Sequence, residues 1–388
     1  MRVLVVTNIP SIWKTMIVKG IALFRTITPP LTAKVFCAAI LVLAGAAHGG
    51  ERGLIGPGQS GAETAGKPPF DPAAWTKAGG YVLDSERAWG RRFKPRAVFQ
   101  IPGGMGVLYN SSPPHDFEAP EGFASEQTGS LAFTRNLLDW RDYPDNPVLH
   151  KLESWQGSQR AMPRAMLYDP KNEQWVVYFG DRYGEYPGVR ATGTAYSKDL
   201  LNWRHSETPT ITIEDIYNAA PDRIRAPKER LDEEGRVYTE WALFHEGRYY
   251  QQVFATSAGR LLLVSGDPGG PFEYVEEFQG DFMPASRPVY SDGRWYTVFS
   301  DWTRSRFAGD KWGGEKGFGL AWSEDLLGPY EMNPQNPIIT TDMTERARPQ
   351  LFRYDGTWAI LFARGPHPGP MRVAIANVHP NLIPRDDK

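Results

Sequence analysis

Residues 163–179 read Pro163-Arg164-Ala165-Met166-Leu167-Tyr168-Asp169-Pro170-Lys171-Asn172-Glu173-Gln174-Trp175-Val176-Val177-Tyr178-Phe179. Two runs rich in apolar and aromatic residues flank Asp169-Pro170-Lys171-Asn172, whose residue types favour a turn; the pattern predicts a β-hairpin. The same unit recurs. Its first strands align as Pro95-Arg96-Ala97-Val98-Phe99, Pro163-Arg164-Ala165-Met166-Leu167, Thr239-Glu240-Trp241-Ala242-Leu243, Ser286-Arg287-Pro288-Val289-Tyr290 and Ala347-Arg348-Pro349-Gln350-Leu351. Second strands follow at 106–109, 174–179, 248–254, 294–299 and 357–362. Glu246-Gly247, Ser291-Asp292-Gly293 and Tyr354-Asp355-Gly356 supply further hairpin turns. Third strands are expected near 131–134, 193–196, 260–264, 318–322 and 371–376. The aligned residues are 68, 76, 47 and 61 apart, longer than the ~40–50 residues of common propeller repeats, so the excess belongs to loops. Five sheet units in one chain predict an all-β, five-bladed β-propeller over residues 71–388.

Composition agrees. Of 388 residues, 39 are Gly and 33 Pro, which requires frequent turns and excludes a long coiled coil. With 41 % hydrophobic and 23 % charged residues, the chain has enough apolar material for a large core. No run of 18 purely apolar residues exists, so a polytopic membrane protein is excluded.

The first segment is different in kind. Lys34 precedes the apolar run Val35-Phe36-Cys37-Ala38-Ala39-Ile40-Leu41-Val42-Leu43, and Ala44-Gly45-Ala46 follows. A basic residue, a short apolar run and an A-x-A site predict a secretory signal peptide within a leader, residues 1–46, and an exported protein, periplasmic or extracellular. Residues 47–70, rich in Gly, Pro, Ala and Ser, are expected to form a flexible linker. The leader holds five cations and no acid, so the remainder of a chain with net charge −2 carries −7. A mildly acidic body argues against nucleic acid as a partner. The single cysteine, Cys37, lies in the leader, which leaves the mature part without disulfide or thiol chemistry.

Three blade edges share a further pattern: Ala195-Tyr196-Ser197-Lys198-Asp199-Leu200-Leu201-Asn202-Trp203, Ala132-Phe133-Thr134-Arg135-Asn136-Leu137-Leu138-Asp139-Trp140, and Ala321-Trp322-Ser323-Glu324-Asp325-Leu326-Leu327-Gly328-Pro329-Tyr330. This S-x-D-L-x-x-W edge resembles that of the five-bladed glycoside hydrolases, such as families 43, 32, 62 and 117, over about residues 85–378. The motif itself reads as structural, Asp capping a turn and Trp packing between blades. The resemblance implies hydrolysis of O-glycosidic bonds in a poly- or oligosaccharide.

In a propeller, inner-strand starts and second-strand ends share one face, at the mouth of the central channel. The aligned residues Arg96, Arg164, Glu240, Arg287 and Arg348 are therefore expected to ring that mouth. Four guanidinium groups in register suit bidentate binding of carboxylate or sulfate, hence an anionic sugar, uronic or sulfated. The alternative is that each Arg snorkels and pairs with local acids. In family-43-like enzymes the proton donor is a Glu at the start of the third blade's inner strand, and Glu240 falls at that position. Burial beside Trp241 would suit it to general acid catalysis; the alternative is an ion pair with a ring arginine. The family's Asp at the starts of blades one and two is replaced here by Arg96 and Arg164. Second strands ending in Asp181 and Asp301 supply candidates for the second carboxylate, with Asp71 and Asp84 weaker ones and Glu118, Glu121 and Glu126 expected in solvent. Trp155, Tyr183, Tyr186, Trp302, Phe307 and Trp312 crowd the mouth loops, where aromatic faces stack on sugars, and His115 and His367 lie in loops on the same face. The charged insert 214–238 is expected to form a short helical lid. A non-catalytic carbohydrate-binding propeller and a polysaccharide lyase are the alternatives. No HExxH, G-x-S-x-G, Walker A, dinucleotide or Cys/His zinc pattern is present, so no cofactor or metal is expected.

Overall fold

The computed structural model describes residues 66–78, 82–83, 94–112, 118, 121–124, 127–151, 161–182, 189–223, 235–256, 258–275, 284, 286–300, 317–341, 347–363 and 371–377, with backbone alone at 181–182, 189–190 and 347. The expected signal peptide and most of the expected linker lie outside these residues. Strand β1 (Trp75–Lys77) comes first. Blade one is β2 (Lys94–Ile101), β3 (Gly104–Ser111), β4 (Thr128–Thr134) and β5 (Arg141–Asp142). Blade two is β6 (Met162–Asp169), β7 (Gln174–Arg182) and β8 (Val189–Ser197), with the short β9 (Arg204–His205) and β10 (Ile211–Thr212) both on β8. Helix α1 (Ile213–Ala219) follows. Blade three is β11 (Val237–His245), β12 (Arg248–Ala255), β13 (Gly259–Ser265) and β14 (Glu273–Tyr274). Blade four is β15 (Val289–Ser291), β16 (Arg294–Ser300), β17 (Gly317–Ser323), β18 (Glu331–Met332) and β19 (Ile339–Thr340). Blade five is β20 (Ala347–Tyr354), β21 (Thr357–Ala363) and β22 (Met371–Ala376). The five sheets are separate and antiparallel; four run in chain order from their first strand outward, and blade five does so until β1 is added at its outer edge.

The hairpin turns follow from their residues. Glu246-Gly247, Asp292-Gly293 and Asp355-Gly356 each form a two-residue loop with positive φ at both positions, between 46° and 78°. That is the type I′ turn, whose twist matches the strands and which Asp-Gly tolerates.

Apolar clusters fill every gap between neighbouring blades. Phe99, Leu131, Met166 and Val177 join blades one and two. Ala165, Tyr178, Ala242 and Tyr249 join two and three. Trp241, Leu262, Phe299 and Ala321 join three and four. Val298, Phe318, Ile360 and Phe362 join four and five. Val98, Val107, Leu361 and Val373 join five and one. Each blade thus buries both faces, and the ring closes: this is a five-bladed β-propeller.

Closure uses the other end of the chain. β1 pairs with β22, Trp75 opposite Ala376, so the first strand becomes the outermost strand of the last blade. Residues 66–70, expected at the end of the linker, are fastened to blades four and five. Trp358 Nε1 donates to the Gly66 carbonyl at 2.9 Å, Asn333 Nδ2 to that of Phe70 at 2.7 Å, and the Phe70 ring meets Tyr296 edge-on.

The blade-edge motif is a local scaffold. In blade two, Asp199 Oδ1 accepts from Ser197 Oγ and from the backbone N–H of Leu201 and Asn202, and Trp203 Nε1 donates to the Leu200 carbonyl. Asn136 and Trp140 repeat the pattern in blade one, where Trp140 packs against blade five. Blade three has an unexpected counterpart, Ser265-Gly266-Asp267, in which Asp267 N donates to Ser265 Oγ and Gly269 N to Asp267 Oδ1. In the 214–238 insert the helix is short. Thr212 and Asp215 form a reciprocal capping box, and Ile213 and Ile216 pack on blade three. Residues 224–234 lie outside the described part.

Candidate functional site

Four of the five aligned positions sit on a β-bulge. In β2 the register slips between Pro95, opposite Tyr109, and Ala97, opposite Leu108, leaving Arg96 extra. β6 slips at Arg164 in the same way, and β11 at Glu240, between Thr239 opposite Val253 and Trp241 opposite Gln252. In β20 the slip spans Arg348 and Pro349, and Arg348 has φ 45°. A bulge re-aims one side chain out of the normal alternation. The neighbouring prolines are tolerated because the inner strand of each blade has no sheet partner on its channel side. Arg287 stands ahead of β15 rather than in a bulge.

These side chains are unusually enclosed for charged groups: Arg96 is 6 % exposed, Arg164 8 %, Arg287 8 % and Glu240 9 %. Arg96 Nε donates to Asn110 Oδ1, while its buried Nη1 has no hydrogen-bond partner among the described residues. The Arg164 guanidinium lies over the Tyr238 ring, 4.4 Å from its centroid, and Tyr238 stacks on Phe254. Arg287 Nη2 donates to the Val98 carbonyl at 3.4 Å, so a blade-four side chain reaches blade one. Glu240 is gripped by a residue the sequence reading did not single out. Arg260 of β13 donates from Nε to Glu240 Oε2 at 2.5 Å and from Nη2 to Oε1 at 3.4 Å.

Electrostatics tells which groups converge. The Arg96 guanidinium is held well below its ordinary range, first by burial and then by Arg348 and Arg164; Tyr238 and Glu240 act in the opposite sense. Lys94, another residue not singled out, is lowered to about 8 by burial and by Arg96, Arg348 and Arg164. Lys94, Arg96, Arg164 and Arg348 of blades one, two and five thus lie close enough to act on one another, and Glu240 of blade three close enough to act on Arg96. Arg287 stands apart: it is lowered to about 10 by burial alone.

Among the carboxylate candidates, Asp181 is placed by its backbone. It is paired with Ala191 at the end of β7, the end at which Arg164 begins its strand. Asp301, Trp155, Tyr183, Tyr186, Trp302, Phe307, Trp312, His115, His367, Asp84 and Glu126 lie outside the described residues. Asp71 caps a short turn by accepting from Ala73 N, and Glu118 and Glu121 are exposed. Lys94 could have been found from its place two residues before Arg96 at the start of the same inner strand. Arg260 left no local signal, because its partner lies two strands away. Among the described residues, no helix is long and apolar enough to cross a membrane.

The class so defined is a five-bladed propeller in which, among the described residues, Lys94, Arg96, Arg164 and Arg348 cluster at the inner strands with Glu240 acting on Arg96. No family model matches the chain, and no curated protein matches it. Among solved structures it is similar to the catalytic domain of a GH62 α-L-arabinofuranosidase of Coprinopsis cinerea, at 12 % identity over 78 % of this chain and 96 % of that one, TM-score 0.49. The α-L-arabinofuranosidase PaAbf62A of Podospora anserina, in complex with cellotriose, gives 14 %, 80 %, 99 % and 0.47. A family 117 glycoside hydrolase produced by the marine bacterium Zobellia galactanivorans gives 12 %, 78 %, 89 % and 0.43.

Proposed function

We propose that this propeller is an exported glycoside hydrolase acting on an anionic poly- or oligosaccharide, uronic or sulfated. The observation that carries the reading is the grouping of Lys94, Arg96, Arg164 and Arg348 on the inner strands of blades one, two and five, close enough to act on one another, with Glu240 acting on Arg96 and Arg96 Nη1 buried and, among the described residues, without a hydrogen-bond partner. Burying cations together is costly, and an oxyanion placed among them offsets that cost through charge-assisted hydrogen bonds. The ring holds the carboxylate or sulfate of the sugar. Glu240 protonates the leaving glycosidic oxygen, and Asp181 or Asp301 serves as base or nucleophile. Both Glu240 oxygens accept from Arg260, so to act as the acid one oxygen has to release its hydrogen bond and take up a proton, which it then passes to the leaving glycosidic oxygen.

A second reading, a carbohydrate-binding propeller without catalysis, is favoured by that same ion pair and by arginines standing where the related enzymes carry aspartates. A reducing-sugar screen over neutral, uronic and sulfated polysaccharides, with Glu240→Gln in parallel, separates the two. Release from an acidic substrate that vanishes in the variant supports hydrolysis by Glu240. Release that survives keeps the enzyme and removes Glu240 from its role. Retention without release supports the binding reading, and an unsaturated uronate product points to β-elimination instead.

A further inference from the structure

A second cleft lies at the opposite end of the strands. It has a volume of about 420 Å³ and is lined by Asn172, Gln174, Tyr196, Lys198, Arg204, Asp267 and Pro268 of blades two and three. Along β6 it begins near Asp169, five residues from Arg164, or roughly 17 Å at strand rise. It is therefore separate from the channel mouth.

Its floor is fixed. Asp169 is fully buried, and its Oδ2 accepts from Asn172 Nδ2 at 2.8 Å and Gln174 Nε2 at 3.1 Å; its Oδ1 accepts from Tyr249 Oη at 2.5 Å. A carboxylate accepts only, which settles the orientation of both amides and leaves their carbonyl oxygens as acceptors for hydroxyl groups. Tyr178 Oη adds a tie from blade two to the Pro268 carbonyl of blade three at 2.9 Å. The walls are cationic, and their charges are unspent. In blades one and three the first residue of the outer strand is ion-paired: Arg141 with Asp139 at 2.9 Å, Glu273 with Arg248 at 3.6 Å. In blade two the acid equivalent to Asp139 is Asn202, whose amide instead donates to Asp199. Arg204 therefore lacks the ion pair that its counterpart Arg141 makes and lies over the Tyr196 ring, 4.8 Å from the centroid. Among the described residues, no carboxylate is within ion-pair distance of Arg204 or Lys198. The one cleft carboxylate, Asp267, already accepts from Gly269 N at 2.7 Å.

We infer that this cleft is a second binding site, for an oligosaccharide segment bearing carboxylate or sulfate groups. Lys198 and Arg204 receive the anionic group, and the oriented Asn172 and Gln174 carbonyls accept sugar hydroxyls. The volume suits one or two rings. Occupying both faces at once would tether the protein to a polymer by avidity.

Calorimetric titration of the full chain with trigalacturonate, a carrageenan tetrasaccharide and neutral maltotriose tests this, comparing wild type with Lys198→Ala/Arg204→Ala. Both substituted residues are exposed, so the variant is expected to melt like wild type. The expected result is one binding event, with either anionic probe, that the double variant weakens at least ~10-fold. Arg96→Ala should leave that event intact. If the channel mouth binds nothing, wild type shows this single event and the inference still stands. Identical isotherms for wild type and double variant would overturn it. So would displacement by inorganic sulfate at equal concentration, which would reduce the cleft to a simple anion site, or equal affinity for maltotriose.

Discussion

Glu240 and Arg260 face each other as a two-point ion pair, with Nε–Oε2 at 2.5 Å, Nη2–Oε1 at 3.4 Å and side chains 6 % and 12 % exposed respectively. The bulge in β11 turns Glu240 out of the ladder, and β13 supplies the group that fixes it. A buried pair of this kind is expensive to break from one side, because the survivor is left charged and unmatched.

Arg260→Ala is accordingly expected to destabilise the protein by ~3–5 kcal/mol, read from urea unfolding at neutral pH. Arg260→Lys should recover part of the loss but not the two-point geometry. Equal stability of Arg260→Ala and wild type would mean that Glu240 finds another partner.

Lys94 gives a pH dependence. Its folded pKa of about 8 lies below the ordinary 10.5. As pH rises through 8 the mouth loses one positive charge, so affinity for an acidic oligosaccharide should fall. Stability moves the other way. Between pH 8 and 10.5 the unfolded chain binds the extra proton, so this group makes the folded state gain stability as pH rises. Lys94→Met should weaken acidic-ligand binding at pH 7 and flatten its decline near pH 8, measured by titration across pH 6.5–9. An unchanged profile in the variant would exclude Lys94 from the receptor.

Asp169 gives the opposite sign. Burial opposes its ionisation, but hydrogen bonds from Tyr249, Asn172, Gln174 and the Lys171 N–H outweigh this and lower its pKa. The stability it contributes is fully present above the unfolded value near 4 and is lost as pH falls through the folded one. Asp169→Asn should cost ~1.5–3 kcal/mol at pH 7 and less at pH 3, by urea unfolding at both. A cost that does not shrink in acid would show that the carboxylate charge is not what matters.

Trp75 tests ring closure. It lies on β1, the strand from the other end of the chain that completes blade five, is buried, and donates from Nε1 to the Pro69 carbonyl at 3.0 Å. Trp75→Ala should lower stability by ~3–5 kcal/mol. Calorimetry should show one cooperative transition at lower temperature; an unshifted melt would mean the propeller closes without this strand.

The fold was legible because strand pairs and their Asp-Gly or Glu-Gly turns are local, and local chemistry survives in one sequence. All five first strands and their hairpins stand where the residue pattern puts them, although blade four's is shortened to Val289–Ser291. Register is less local. Nothing in Pro95-Arg96-Ala97 or Pro163-Arg164-Ala165 marks a bulge, yet the bulge aims the arginine. The blade-edge motif of blade three, Ser265-Gly266-Asp267, was hidden because Pro268-Gly269-Gly270 replaces the Leu-Leu that follows elsewhere. Alignment alone put Glu240 in the first strand of blade three, where β11 stands, but its grip by Arg260 depends on the pairing of three strands. Arg287 aligns with the other ring arginines in sequence, but it stands ahead of β15 rather than in a bulge and donates to a carbonyl of blade one.

The most direct measurement of the acid role assigned to Glu240 uses leaving groups. Once the screen identifies the sugar, wild type and Glu240→Gln are compared on the natural acidic oligosaccharide and on its dinitrophenyl glycoside, whose leaving group needs no proton. The expected result is a loss of ~10²–10⁴ in kcat on the oligosaccharide and little loss on the dinitrophenyl glycoside. Equal losses on both substrates, or no loss on either, would contradict general acid catalysis by Glu240.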